Sequence, residues 1–248
     1  MLHRVDGFTG IELAATLGLP SVELFIRLGS SMDEAHRLGA AGAPAGTLIL
    51  ADEQTAGRGR GGKKWDSAPG EGLWMTLIER PESASGLDVL SLRLGLRIAS
   101  VLERLAGSLI EIKWPNDLFV SGRKLAGILV EARWRDQTVD WVAIGVGVNI
   151  VAPPGVPNAT GLKERYSRAA VLAVLVPAVR TAAAIRGPLS TAELSEFAAR
   201  DYARGRVILE PTVGTAQGIT PDGALVVRTE AGVAHFRGGS LVFAEEAK

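Results

Sequence analysis

The chain has 248 residues, which is enough for one large domain or for one domain with a small appendage. Its 27 basic and 27 acidic residues give zero formal charge, so no global basic field exists to hold nucleic acid. It contains no cysteine, which excludes disulfides, cysteine–zinc sites and thiol nucleophiles and fits a cytoplasmic protein. Because the sequence shows no signal peptide and no run of roughly 18–20 apolar residues, we expect neither a membrane partner nor a nucleic-acid partner.

The first half of the chain mixes predicted helices and strands. Thr9 is placed to cap a helix over residues 10–17. A strand over residues 22–28 precedes another helix, at whose start Ser31 and Glu34 form a capping-box pattern. The remaining elements are two short apolar strands, a long apolar helix, another strand that ends in a Pro-Asn-Asp turn, and a hairpin; they span residues 47–51, 73–78, 87–105, 110–114, 125–135 and 138–149.

The second half changes character after Gly205. Before that point two helices are predicted, over residues 167–186 and 191–203. Beyond it, closely spaced short strands predict a small barrel, with strands at residues 207–210, 215–219, 224–229, 233–237 and 241–244. Residues 220–223, Thr-Pro-Asp-Gly, would form a turn between two of these strands. We therefore predict two domains, residues 1–203 and residues 204–248.

The most informative stretch is residues 57–65, GRGRGGKKW. It matches dinucleotide-binding and phosphate-loop patterns only formally, because Lys64 stands where a phosphate loop needs Ser or Thr and because residues 69–70, Pro-Gly, prevent a following helix. Its glycines expose backbone N–H groups, and its arginines and lysines suit phosphate or carboxylate. The alternatives are a flexible basic surface loop or an RGG-like nucleic-acid segment. A position between two apolar strands argues against the RGG alternative, so the loop predicts anion binding.

Three ordered blocks carry a family resemblance. They are residues 53–62 followed by Trp65, residues 113–117 followed by residues 123–131, and residues 145–149. Together they resemble the biotin protein ligases. The resemblance implies an α+β fold with a mixed sheet and packed helices, related to the class II aminoacyl-tRNA synthetase core, plus a small C-terminal SH3-like barrel. Since only about twenty residues precede the first predicted strand, the chain looks like the form without an N-terminal DNA-binding domain.

The resemblance also implies a reaction and its partners. A ligase of this type adenylates biotin with ATP to give biotinyl-5'-AMP, and it then transfers biotin to a lysine of a biotin carboxyl carrier protein domain. ATP and biotin are substrates, and magnesium is expected with ATP, held mostly by phosphates and waters rather than by a site built from protein ligands. Some members form homodimers through the sheet, but residues 139–148 would read the same under helices or in a dimer, so the oligomeric state stays open.

The implied reaction brings two anions together, a carboxylate and the α-phosphate, so positive charge must neutralise their contact. By resemblance the catalytic residues are Lys124 and Arg60. Biotin contacts are implied for Ser30, Ser31, Gln54, Gly57, Arg58, Lys124 and Gly127. ATP contacts are implied for Arg58, Gly59, Arg60, Lys63, Trp65, Asn116, Asp117, Lys124 and Asn149.

Several of these residues also have structural explanations that the sequence leaves open. The two serines could only cap a helix, Trp65 could pack into the core, and Asn116 and Asp117 could only form a turn. Met32 departs from the family pattern, where an asparagine is common, so an amide contact to biotin is in doubt. Among other functions, a lipoate–protein ligase shares the fold and the adenylate chemistry, a nucleic-acid-binding repressor would use the basic loop, and a biotin-binding protein could have lost catalysis.

Overall fold

A computed structural model describes residues 3–246; Met1, Leu2, Ala247 and Lys248, at the outer ends of the two predicted domains, lie outside the described residues. The described helices are α1 Gly10–Leu17, α2 Ser31–Ala40, α3 Leu90–Ala106, α4 Arg168–Ala184 and α5 Thr191–Arg200. The first seven strands are β1 Ser21–Leu28, β2 Thr47–Gln54, β3 Gly72–Glu79, β4 Glu111–Lys113, β5 Asp117–Val120, β6 Arg123–Arg135 and β7 Thr138–Asn149. The last five are β8 Val207–Glu210, β9 Gly214–Ile219, β10 Leu225–Thr229, β11 Gly232–Phe236 and β12 Val242–Phe243.

The first seven strands form one sheet in the order β1-β2-β3-β7-β6-β5-β4. Strands β1 and β2 are parallel, and the other neighbours are antiparallel. The sheet is therefore mixed, and helices pack on it, which confirms the α+β prediction. The long hairpin β6–β7 turns at residues 136–137 as the sequence predicts, and Asp136 has a positive φ of 54° there.

Two sequence predictions about this domain need correction. The turn predicted at residues 115–117 is present over residues 114–116, but Asp117 lies beyond it and begins strand β5, where it pairs with Lys113 on one side and with Gly127 on the other. The predicted capping box from Ser31 to Glu34 is also absent. The helix cap of α2 is Ser30, whose hydroxyl accepts from the Met32 amide at 3.3 Å.

The two faces of the sheet have different partners. One face carries the main core, in which helices α1, α3 and α4 cover side chains such as Leu48, Met75 and Ile144. The other face carries helix α2, which packs through Met32 and Ala35. Helix α2 covers only part of this face, so no helix covers the section of β6 and β7 beyond it. None of the helices in the described part of the chain is long and apolar enough to cross a membrane.

Five antiparallel strands form the predicted C-terminal barrel, in the order β11-β10-β9-β8-β12. The turn predicted at residues 220–223 is present, closed by the Gly223 amide to the Thr220 carbonyl at 2.9 Å. The barrel shares its core with the large domain: Tyr202 stacks on Phe119 with ring centroids 4.8 Å apart and meets Phe243 edge-on at 5.4 Å. The domain boundary at residue 204 stays a prediction.

Candidate active site

A cavity of about 460 Å³ opens on the uncovered section of the sheet, between helix α2, the glycine–arginine loop and the barrel. The residues named from the sequence that line this cavity are Ser30, Ser31, Gln54, Arg58, Gly59, Arg60, Lys63, Trp65, Asn116, Asp117, Lys124 and Gly127. Two others lie outside the lining. Gly57 faces a second cavity behind the loop, and Asn149 is buried at the end of β7, beside the strand that carries Lys124.

Glycines make the floor of the cavity. Gly127 on β6 stands directly opposite Gly147 on β7, and the indole of Trp65 lies over both. A methyl group at Gly127 would come within 2.7 Å of the indole, and one at Gly147 within 2.6 Å. Further along, a methyl at Gly145 would lie 2.8 Å from the Met32 thioether methyl. Gly127 and Gly147 therefore leave room for the Trp65 indole, and Gly145 leaves room for the Met32 side chain. The sequence signal was the alternate-residue glycine spacing on β7.

The end of the cavity under helix α2 is a preorganised polar cluster. The Gln54 carbonyl oxygen accepts from the Ser31 amide at 2.7 Å, and the Gln54 amide group donates to the Ser67 hydroxyl at 2.8 Å. Thr76, fully buried, donates to the Ser31 hydroxyl at 2.8 Å. Sequence reasoning found Gln54 and Ser31 but missed Ser67 and Thr76, because neither stands in a recognisable motif.

The opposite end of the cavity carries a cation. Lys124 Nζ lies 2.8 Å from a carboxylate oxygen of Asp117 and 4.9 Å from the centroid of the Trp65 ring. Two backbone hydrogen bonds fix Lys124: its amide donates to the Asn158 carbonyl at 2.8 Å, and its carbonyl accepts from the Thr160 amide at 2.9 Å. The side-chain amide of Asn149 donates to the same Lys124 carbonyl at 3.3 Å. The ammonium therefore stands on a braced strand rather than on a mobile loop.

The other predicted polar residue at this end, Asn116, supports the strand. Its side-chain amide donates to the Ile128 carbonyl at 2.7 Å, and its own carbonyl accepts from the Ile128 amide at 3.0 Å. Asn116 thus ties the Pro-Asn-Asp segment to β6 and fixes the start of β5, from which Asp117 reaches Lys124. Among the residues that the structure describes, no group of three His, Asp or Glu side chains is placed to hold a metal ion.

The two loop arginines are fastened to different parts of the chain. The Arg58 guanidinium pairs with Asp33 of α2 at 2.7 Å and with Glu131 of β6 at 2.5 Å. The Arg60 guanidinium donates to the Gly239 carbonyl of the barrel at 2.7 Å. Sequence reasoning missed Asp33, Glu131 and Gly239, which lie 25, 73 and 179 residues from their arginines.

Behind Glu131 stands a histidine. His36 Nε2 lies 2.8 Å from the second Glu131 oxygen, and the Trp141 indole N–H donates to His36 Nδ1 at 3.1 Å. Burial lowers the pKa of His36, and the hydrogen bond to Glu131 opposes part of that shift. Since an indole N–H can only donate, Nδ1 accepts, and neutral His36 carries its proton on Nε2, facing Glu131.

The cavity, from Ser30 to Gly147, lies almost wholly within one family match. Residues 25–149, about half of the chain, match the model of the biotin/lipoate A/B protein ligase family. The chain belongs to this family. Residues 206–243 also match the biotin protein ligase C-terminal domain, which covers most of the barrel.

The known members of the family that resemble the chain differ in how much of their length the similarity covers. The biotin–[acetyl-CoA-carboxylase] ligase of Paracoccus denitrificans is 33% identical over 232 residues, covering 84% of this chain and 95% of the relative. The bifunctional ligase/repressor BirA of Bacillus subtilis is 41% identical over 128 residues, 51% of this chain. That match covers only 39% of BirA, so the chain spans about two fifths of the length of this relative.

Solved structures of the family share the fold. The biotin protein ligase of Aquifex aeolicus, in complex with biotin and ATP, superposes with a TM-score of 0.74 over 90% of this chain and 99% of its own, at 23% identity. The Leishmania major biotin protein ligase in complex with biotin gives a TM-score of 0.57 over 91% of this chain, at 26% identity. The predicted fold, a ligase-like core with an SH3-like C-terminal barrel, is confirmed.

Proposed function

We propose that the chain activates biotin with ATP as biotinyl-5'-AMP and transfers the biotinyl group to a lysine of a biotin carboxyl carrier protein domain. The observation that carries this proposal is the layout of the cavity. A glycine floor, on which the Trp65 indole lies, runs from a polar cluster at Ser31 and Gln54 to a braced ammonium at Lys124, beneath a basic loop. An acid whose polar ring and carboxylate sit at opposite ends would match both ends of this cavity.

The ring of biotin supports the assignment of the polar end. Its ureido group has two N–H donors and one carbonyl acceptor, so a site for it needs acceptors and donors held in place. The Gln54 and Ser31 groups provide both kinds, and Thr76 and Ser67 orient them. Ser30 caps α2 and holds the helix start against the cluster. Met32, which stands where the family often has an asparagine, contributes an apolar contact beside Gly145.

The acid–base and charge demands fall at the Lys124 end. The biotin carboxylate attacks the α-phosphate of ATP, and pyrophosphate leaves with the electrons of the broken P–O bond. In this proposal Lys124 bridges the two approaching anions, and Arg60 and Lys63, which line the same cavity, add positive charge. Asp117 has one oxygen on Lys124, and its carboxylate could share a magnesium–phosphate complex, since magnesium binds through few carboxylates, phosphates and waters.

In the second half-reaction the carrier lysine, as a neutral amine, attacks the acyl carbonyl, and AMP leaves. The amide that forms carries no charge, whereas the adenylate carries a phosphate that the basic loop retains. The names of the relatives support acetyl-CoA carboxylase as the enzyme whose carrier domain is modified. The proposal places the reaction in the cytoplasm and involves no nucleic acid.

The deciding experiment is ATP–pyrophosphate exchange with the purified chain and magnesium, run with biotin and with lipoate in parallel. Exchange that depends on biotin supports the proposal, and transfer of labelled biotin to a carrier domain would then complete it. Exchange with lipoate alone would assign the chain to the lipoate branch of its family. Folded protein that exchanges with neither acid would refute the proposed activity.

A further inference from the structure

The glycine–arginine loop has a fixed base and a tip that closes on itself. At the base, the Thr55 amide donates to the Leu28 carbonyl at 2.9 Å and the Ala56 amide to the Gly29 carbonyl at 2.8 Å. At the tip, the Gly59 amide donates to the Lys63 carbonyl at 2.7 Å. The side chains of Arg58 and Arg60 connect this tip to the rest of the protein. Where the tip stands over the cavity therefore depends on those two arginines.

The anchor of Arg58 is far from the reacting groups. Glu131 follows Lys124 by seven residues on the same strand, which corresponds to about 20 Å of extended chain. It lies on the same face of β6 as Leu129 and Gly127, beyond the end of the cavity under α2. A guanidinium held at Glu131 cannot at the same time touch a phosphate or a carboxylate held at Lys124.

The anchor is built to hold a guanidinium. Each terminal nitrogen of Arg58 has its own carboxylate, one from Asp33 and one from Glu131. His36 donates to the other oxygen of Glu131, and Trp141 fixes the His36 ring, so the Glu131 carboxylate has a defined orientation. The Glu131 side chain is 19% exposed, whereas that of Asp33 is 62% exposed, so solvent screens the Asp33 contact more strongly.

We infer that Arg58 acts as a positioning residue: together with Glu131, His36 and Asp33 it forms a latch that holds the loop closed over the ligand, and its side chain does not bind the carboxylate or the phosphates at the Lys124 end of the cavity. This role replaces the ligand contact that the family resemblance implies for the Arg58 side chain. The inference rests on the proposed function only for the identity of the ligand, biotin. All of the contacts of the latch are made by residues of the chain itself, so part of its effect is measurable without any substrate.

The test is a double-mutant cycle with Arg58→Met, Glu131→Gln and the double variant. For a latch, each single variant speeds biotin dissociation by about tenfold, the size expected for a charge-assisted pair, and the double variant is no worse than either single. If the Arg58 side chain instead held the ligand, Glu131→Gln would free it, so that biotin binding would stay the same or tighten while Arg58→Met alone weakened it. That outcome would overturn the inference.

Two further measurements separate positioning from general damage. Amide hydrogen exchange of residues 57–64 without ligand should rise in both single variants, and unchanged exchange would overturn the latch even if biotin binding weakened. The matched control is Glu34→Gln, which removes an ion pair with Arg37 on the same helix but does not touch the loop. It should leave both exchange and biotin dissociation as in the unmodified chain, and Asp33→Asn should have a smaller effect than Glu131→Gln.

His36 provides an independent check within the latch. His36→Gln keeps an N–H that can reach Glu131 and should retain most of the slow biotin dissociation, whereas His36→Leu should lose it. Equal behaviour of the two variants would remove His36 from the latch. If the unmodified chain fails to exchange pyrophosphate with biotin, the proposed function fails, yet the ligand-free hydrogen exchange still decides whether the latch exists.

Discussion

Replacing Lys124 by Met should abolish most of the adenylation activity while leaving the fold intact. The side chain is 31% exposed and its ammonium stands 2.8 Å from Asp117, so it occupies the end of the cavity where an anion would be placed. Methionine keeps the unbranched side chain as far as Cε but removes the ammonium, which lies over the Trp65 ring. The variant therefore tests charge rather than packing.

The magnitude follows from the geometry. Two unit charges about 3 Å apart attract by about 5–6 kcal/mol at an effective dielectric constant of about 20. Partial exposure discounts this value, and about 3–4 kcal/mol of transition-state stabilisation remains, similar to the loss of one donor in other enzymes. The expected fall in the rate of biotin-dependent pyrophosphate exchange is about 10²–10³-fold.

The assay is single-turnover formation of biotinyl-5'-AMP at saturating biotin and ATP, with thermal unfolding measured on the same preparations. Lys163→Met is the matched control, because Lys163 is an exposed lysine outside the cavity. A Lys124→Met variant that forms the adenylate within threefold of the unmodified rate would refute the role of this ammonium. If Lys124→Met lowers the rate but also unfolds the protein, the same rate is measured on Asp117→Asn, which leaves the ammonium in place.

Three further predictions follow from other parts of the structure. Gly147→Ala should slow pyrophosphate exchange by about tenfold, because the added methyl would lie 2.6 Å from the Trp65 indole, and unchanged exchange would contradict the glycine floor. Glu193→Gln should lower the unfolding free energy by about 3–5 kcal/mol in urea titrations, because it leaves the fully buried Arg93 guanidinium without its carboxylate partner. Replacing both residues by apolar ones should recover most of that loss. Burial raises the pKa of Asp201 to about 6 against the opposing backbone hydrogen bonds of Ala203 and Arg204. Because the folded pKa lies above the unfolded value, stability falls as pH rises from about 4 through about 6, so Asp201→Asn should stabilise by up to about 3 kcal/mol at pH 8 and by nothing at pH 4. An equal effect of that variant at both pH values would contradict the assignment.

Local sequence signals predicted most of the fold because many of its helices and strands end at caps and turns that neighbouring residues encode. The helix cap at Thr9, the residue pair 136–137 between two long apolar strands, and the turn at residues 220–223 each depend on neighbours in the chain. Strand β5 was missed for the same reason. Residues 115–117 have the composition of a turn, and only pairing with β4 and β6, which the local sequence does not encode, makes Asp117 a strand residue.

The candidate site divides in a similar way. Residues in contiguous motifs, such as Gln54, Arg60 and Lys124, were named from the sequence, and the structure places them around one cavity. The groups that orient them come from distant segments without a motif of their own. Thr76 lies on a buried strand, and Glu131 ends the block that contains Lys124 but acts on the loop instead. Such partners are set by sheet register, so a one-residue change in the pairing of β6 would remove them.

The glycine–arginine loop is attached to the rest of the protein at two separate places. Arg58 ties the loop to the sheet beyond the polar end, and Arg60 ties it to Gly239 of the barrel. The barrel in turn is held to the central strands by the Trp114 indole, which donates to the Gly223 carbonyl at 3.0 Å, and by the stack of Phe119, Tyr202 and Phe243. The fastenings of the loop therefore lie on three packed elements, namely the sheet, helix α2 and the barrel. The barrel is thus part of the wall of the site, whatever its boundary in the chain.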